Sequence, residues 1–225
     1  MVATRTTYAV RPMQRADIPV VSAIDREAFP TQWPAPPFKR DLDNRLVHYL
    51  VAIEQPDPEE ADAVTDELEA TSHTFLSRVL ERLGITRSAG GRSDAAPPPD
   101  SIVGYAALWQ MVDEAHLTSI AVKESHRRKG IGELLLACAL DLAVQLRSNV
   151  MTLETRVSNS PARALYTKYG FSITGIRRGY YSDDGEDAVI MTTDTLAAEE
   201  YRSMLGRLKL TYLERWGAPG TIRLR

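Results

Sequence analysis

At 225 residues, 44% of them hydrophobic, the chain is long enough for one sizeable core or for a domain of about 150 residues with additions. Its 27 lysines and arginines nearly balance 30 aspartates and glutamates, which leaves no global basic field to gather nucleic acid or an anionic membrane, so any polyanion site has to be local. The single cysteine, Cys138, excludes an internal disulfide and suits a reducing cytosol; no apolar run approaches the roughly 20 residues that span a bilayer, and MVATRTTYAVRP lacks the apolar centre of a secretion signal, so the expectation is a soluble cytoplasmic protein.

Residues 7 to 11 read as a first strand, after which Asp17 can start a helix carrying Ile18, Val21, Ile24 and Phe29 along one side. The segment FPTQWPAPPF that follows is too proline-rich to be helical, so Phe29, Trp33 and Phe38 sit in a structured loop that packs on the core or lines a groove. A brief helix over residues 38 to 44 and a strand from Val47 to Ile53 come next. Residues 54 to 100 then break the pattern, with eleven acids against four arginines, a formal charge of −7. Phe75, Val79, Leu80 and Leu83 form an apolar stripe there, which predicts a helix over about residues 62 to 84 that docks on its own domain or on a partner protein. The closing RSAGGRSDAAPPPDS has the composition of a flexible linker.

From Ile102 the order is strand (IVGYAALWQ), turn (Val112 to Ala115), strand (HLTSIAV), glycine loop, helix, strand (VMTLETRV), helix (Pro161 to Tyr169) and two strands (Phe171 to Arg177 and Asp187 to Thr193), an α/β arrangement with a mixed sheet flanked by helices. The tail from Thr195 to Trp216 places Tyr201, Leu205, Leu208, Tyr212, Leu213 and Trp216 at helical spacing before Gly217 and Pro219, as a helix that covers the domain. Three parts result: one domain from residues 1 to 53 and 101 to 194, the insertion at 54 to 100, and the tail at 195 to 225.

The densest chemical signal is LTSIAVKESHRRKGIG, residues 117 to 132, a β-branched strand running into a basic, glycine-punctuated turn and then a helix with Leu135, Leu136, Ala139, Leu142, Ala143 and Leu146 on one face. The N–H groups of a helix's first turn lack intrahelical partners and the peptide dipoles leave positive charge there, so an anion is favoured at that end. Gly130 and Gly132 let phosphate oxygens approach the main chain, and Arg127, Arg128 and Lys129 add three cations, which suits a pyrophosphate. The bland alternative is a solvated basic turn. A nucleoside triphosphate loop is disfavoured, because Glu133 and Leu134 stand where Lys and Ser or Thr are needed to reach the phosphates and magnesium.

Arg127-x-x-Gly130-x-Gly132, between a strand and a helix, resembles the pyrophosphate loop of the GNAT superfamily of acetyl-CoA-dependent N-acetyltransferases. VMTLETRVSNSPARALYTKYGF (residues 150 to 171) is similar to that superfamily's next strand, asparagine, tyrosine-bearing helix and closing glycine-phenylalanine. GIRRGYYSDDGEDAVIM (residues 175 to 191) and YAVRPMQRADIPVVSAIDREAFPTQW (residues 8 to 33) resemble the bacterial enzymes that acetylate the amino-terminal alanine of a ribosomal protein. The resemblance spans about residues 8 to 54 and 101 to 194 and leaves the insertion and tail unexplained.

It implies a mostly antiparallel sheet that splays at an acetyl-CoA site, no metal, and an acceptor that is a protein or peptide amino terminus. Main-chain groups of the Ile120, Ala121, Val122 strand end would bond the pantetheine arm, and Arg127, Arg128, Lys129, Gly130, Ile131 and Gly132 would take the pyrophosphate. Asn159 matches a position that meets the cofactor and is otherwise a turn cap. Glu154 shares a strand face with Thr152 and Arg156, so its carboxylate either faces the substrate amine or pairs with Arg156 or another cation; the resemblance makes it the general base. Tyr166 matches the tyrosine that protonates the departing thiolate and is otherwise a core anchor, with Tyr169, three residues on, outside the motif position. His116 stands where some relatives carry a second catalytic group, although a histidine at a strand end is more often simply solvated. Phe29, Pro30 and Trp33, with Arg178, Tyr180 and Tyr181, resemble the two lips that clasp a peptide, the alternative being an ordinary aromatic hairpin. The rival readings are acetylation of a small amine or lysine side chain, and a non-catalytic acyl-CoA-binding regulator.

Overall fold

Seven segments rich in β-branched and aromatic residues pair into one sheet: Thr7–Pro12 (β1), Val47–Gln55 (β2), Ile102–Met111 (β3), Glu114–Val122 (β4), Val150–Arg156 (β5), Phe171–Arg177 (β6) and Ala188–Thr193 (β7). The helices are Ile18–Ala28 (α1), Phe38–Asp41 (α2), Ile131–Gln145 (α3), Ser160–Lys168 (α4) and Glu199–Trp216 (α5). This computed structural model describes residues 7–31, 35–55 and 101–217. Trp33, the helix expected near residues 62 to 84 and the linker after it lie outside the described residues.

Strand order is β1-β2-β3-β4-β5-β7-β6, and every neighbouring pair is antiparallel except β4 and β5. A parallel pair needs a crossover, which the glycine loop and α3 supply. That pair is short: Glu114 to Leu117 align with Val150 to Leu153, and there the pairing ends. β4 continues against β3 alone, while β5 continues to Arg156 against β7, so the two strands part like the arms of a V. A bulge marks the parting. Ala107 pairs with Ser119 and Leu108 with Leu117, leaving Thr118 as the extra residue, its Oγ1 donating to the Ala107 carbonyl at 3.2 Å.

Apolar alternation fills both sheet faces. On one side, α1 and α2 close over Val21, Ile24, Phe38, Tyr49, Val51 and Tyr105. On the other, α3 is buried nearly all round, through Leu134, Leu135, Leu136, Ala137, Cys138 and Leu140. The one-faced helix expected from the sequence is buried twice over because α5 lies across its outer side, with Tyr201, Leu205 and Tyr212 in the same core cluster. Each such leucine contributes about 1.5–3 kcal/mol. Tyr201 donates to the Tyr169 carbonyl at 2.9 Å and Lys209 pairs with Asp141, which sets the lie of α5 along α3. The second helix stops earlier than expected, at Asp41, whose buried carboxylate accepts the Tyr49 hydroxyl at 2.9 Å. Among the described residues no helix is long and apolar enough to cross a membrane.

Candidate active site

The V between β4 and β5 opens into a cleft of about 660 Å³. Its floor is Leu117 to Ile120 and Glu154 to Arg156; Tyr166 and Asn159 stand at one side, and Ala28 to Thr31 and Tyr180 to Asp183 form two rims. Sequence-expected residues Glu154, Tyr166, Asn159, Ile120, Phe29, Pro30, Tyr180 and Tyr181 therefore meet in one space. Arg178 is not part of that lining; it is 88% exposed and lies 3.6 Å from Asp187.

Strand alternation puts Glu154 on the same face as Thr152, and the register beside it brings His116 of β4 level with Thr152. Glu154 is held at both oxygens: Oε2 shares a 2.6 Å hydrogen bond with His116 Nε2, and Oε1 lies 2.9 Å from the Arg177 guanidinium. Its side chain is only 9% exposed, against 52% for Arg177. The cation that pairs with Glu154 is thus not its strand neighbour Arg156. That guanidinium turns to the hairpin between β6 and β7, donating to Asp183 at 2.7 and 2.8 Å, to Asp184 at 2.8 and 2.9 Å and to Glu186 at 3.1 Å, while it stacks 3.9 Å from the Tyr181 ring centre. The Arg156 guanidinium, followed by the Thr31 hydroxyl, holds the Asp183 carboxyl down at about 2. Thr31 Oγ1 donates to Asp183 at 2.7 Å, so the two rims touch.

Tyr166 is 5% exposed and lines the cleft, its ring 5.8 Å from that of Phe171. Burial, then the neighbouring Tyr181, pushes its phenol well above the ordinary value, so it stays protonated. Tyr169 is fully buried, and its hydroxyl donates to Glu133 at 3.0 Å, on the α3 side.

At the carboxyl end of β4 the glycine loop turns through two left-handed residues, Arg128 (φ +66°) and Gly130 (φ +79°), and Gly130 caps α3. A Cβ on Gly132 would meet nothing nearer than 3.9 Å, so that approach to the first-turn N–H groups is open. Arg127 Nε donates to the Val122 carbonyl at 3.3 Å; Arg128 and Lys129 are exposed and pair with no acid among the described residues. Asn159 caps α4 by accepting from the Ala162 N–H at 3.3 Å and also lines the cleft, so cap and lining coexist in one residue. The open glycine, the free N–H groups, the uncommitted cations and the unpaired β4 edge fit a thioester cofactor with a pyrophosphate and an amide-bearing arm.

The sequence profile described as the acetyltransferase (GNAT) family matches residues 54–171. A Bacillus subtilis protein provisionally named a ribosomal protein bS18-alanine N-acetyltransferase is 31% identical over 188 residues, covering 83% of this chain and 95% of its own length. An N-alpha-acetyltransferase of Sulfurisphaera tokodaii is 44% identical over 92 residues, or 39% of this chain and 54% of that protein. In three dimensions the Escherichia coli ribosomal-protein-S18-alanine N-acetyltransferase superposes with a TM-score of 0.58 at 22% identity, over 85% of this chain and 97% of that one.

Proposed function

The chain belongs to the acetyltransferase (GNAT) family, and on that premise we propose that it acetylates the α-amino group of a protein amino terminus, a ribosomal protein first among the candidates. The observation that carries the proposal is the meeting of Glu154 and Tyr166 in one cleft between the parted strands, beneath rims that carry Phe29, Pro30, Tyr180 and Tyr181.

Acetyl-CoA supplies an acetyl group activated as a thioester. The chain's residues do the rest. Arg127 to Gly132 would hold the phosphates, and main-chain groups of β4 beyond Leu117, where pairing with β5 has ended, would orient the arm. An α-ammonium has a pKa of about 8, so Glu154 has only to receive one proton for the nitrogen lone pair to become available. His116, hydrogen-bonded to Oε2 of Glu154, gives that proton a way out of the cleft. As the carbon–nitrogen bond forms and the carbon–sulfur bond breaks, Tyr166, kept protonated by burial, would supply a proton to the departing sulfur, and the second proton shed by the nitrogen would restore the phenol.

The rims support a peptide acceptor over a small amine. Phe29 and Pro30 on one side and Tyr180 and Tyr181 on the other offer apolar area with hydroxyls for main-chain groups. The test is a basic ribosomal-type peptide offered with a free or a blocked amino terminus. The proposal expects transfer to the first and none to the second; equal transfer to lysines of the blocked peptide would refute it.

A further inference from the structure

The last helix ends on the phosphate loop. A Cβ built on Gly130 would stand 2.7 Å from Trp216 Cε2 and 2.8 Å from Trp216 Cδ2 and Nε1, so the indole lies against the glycine that caps α3. Its Nε1–H is buried with no hydrogen-bond partner among the described residues. A buried donor without a partner is unfavourable, so what keeps the ring there is its apolar contact with Gly130 and the core, and not its polar end. The Arg215 guanidinium lies over the ring, 4.9 Å from its centre.

The loop beneath needs such support. Arg128 is held at φ +66°, a conformation a side-chain-bearing residue adopts only when its surroundings enforce it, and the following turn through Gly130 has no side chain of its own to fix it. α5 can enforce it because it is itself anchored, by buried Tyr201, Leu205 and Tyr212 and by the Tyr201 bond to the Tyr169 carbonyl. The family profile ends at residue 171, so the contact joins Gly130, inside that match, to Trp216, outside it.

We propose that Trp216 is a positioning residue for acetyl-CoA: α5 presses the indole onto Gly130 and holds the pyrophosphate loop in the form that presents its N–H groups. This rests on the reading of that loop as the phosphate site. The tail helix is then a working part of the cofactor site as well as a cover for α3. Affinity falls in proportion to the fraction of molecules whose loop is correctly formed.

The test is calorimetry of coenzyme A with the full chain and three variants. Trp216→Ala should weaken binding about tenfold, the result of a correctly formed fraction cut to about a tenth. Steady-state kinetics should show a matching rise in the Michaelis constant for acetyl-CoA, with turnover at saturation unchanged. Trp216→Phe keeps a flat ring and should restore most of the affinity. Trp216→Leu keeps apolar volume without the flat face and should stay weak; it stands in if the alanine variant does not fold. Equal coenzyme A affinity in wild type and Trp216→Ala, with only a lower melting temperature, would overturn the inference alone, as would a phenylalanine variant as weak as alanine. Wild-type protein that binds no coenzyme A would overturn the reading of the loop and this inference with it.

Discussion

Replacing Glu154 by glutamine keeps the shape and one acceptor oxygen but removes the charge between His116 Nε2 at 2.6 Å and Arg177 at 2.9 Å. Two effects then separate by size. The structural loss is modest, because Arg177 is 52% exposed and regains water, and exposed pairs contribute about 0–1 kcal/mol; with the weakened bond to His116 the total is about 1–2 kcal/mol, or a few degrees in melting temperature. Loss of a base lowers turnover by about 10²- to 10⁴-fold, equivalent to about 2.7–5.5 kcal/mol in the barrier. Affinity for coenzyme A should not change, since Glu154 lies on β5 in the floor of the cleft and the phosphate loop follows β4. Single-turnover acetylation of a peptide at saturating acetyl-CoA, beside calorimetry of coenzyme A, reads both. Turnover within threefold of wild type when chemistry limits the rate would remove Glu154 from the mechanism; weakened coenzyme A binding would show that the substitution had disturbed the fold.

Gly130→Val should abolish measurable coenzyme A binding and lower the melting temperature, because the new Cβ would lie 2.7 Å from the Trp216 ring at φ +79°; normal affinity by calorimetry would place the phosphates elsewhere. Arg156→Ala frees Asp183, Asp184, Glu186 and Tyr181 together, so the Michaelis constant for peptide should rise severalfold with coenzyme A affinity unchanged, and peptide kinetics like wild type would show the hairpin holds without it. Burial raises the folded pKa of Tyr49, Tyr105, Tyr166, Tyr169, Tyr201 and Tyr212 above the unfolded value, so the stability tied to them is present below pH of about 10 and is lost as pH rises further. Each contributes about 1.4 kcal/mol of loss per pH unit above that point, so denaturant melts from pH 9 to 11 should show a steep fall, and a flat profile would mean the tyrosines are reached by water. Replacing residues 56 to 100 by a short glycine turn should leave coenzyme A binding intact, because β2 and β3 already pair as antiparallel neighbours at Ile53 and Ile102, and should raise the Michaelis constant for basic peptides more at low salt than at high; unfolding of the trimmed chain would instead make the apolar stripe from Phe75 to Leu83 part of the core.

The elements that follow local rules were legible in the sequence. The loop at 127–132 could be placed because a β-branched run, a basic glycine turn and a helical apolar pattern occur in series, and each has its own period or punctuation. Strand alternation likewise gave Glu154 its face. What alternation cannot give is the neighbour across the sheet. Arg156 was the nearer cation along the strand, yet three hairpin acids draw it away, and Glu154 finds His116 through the parallel register and Arg177 beyond β7. The Thr31–Asp183 contact between the rims and the Trp216 ring on Gly130 escaped for the same reason, since each joins residues far apart along the chain. Burial of α3 on both sides did leave a mark that the one-faced pattern passes over, because Leu134, Ala137, Cys138 and Leu140 are apolar as well.

Which nitrogen receives the acetyl group separates a protein amino terminus from every other acceptor. Labelled acetyl-CoA, incubated with short peptides that differ only in their first residue, beside a blocked peptide with internal lysine and a polyamine, followed by mass spectrometry of the product, decides it. Label is expected on the α-nitrogen of free-ended peptides, graded by the first residue, and none on the blocked peptide or the polyamine. Label confined to lysine or the polyamine would refute transfer to a protein amino terminus.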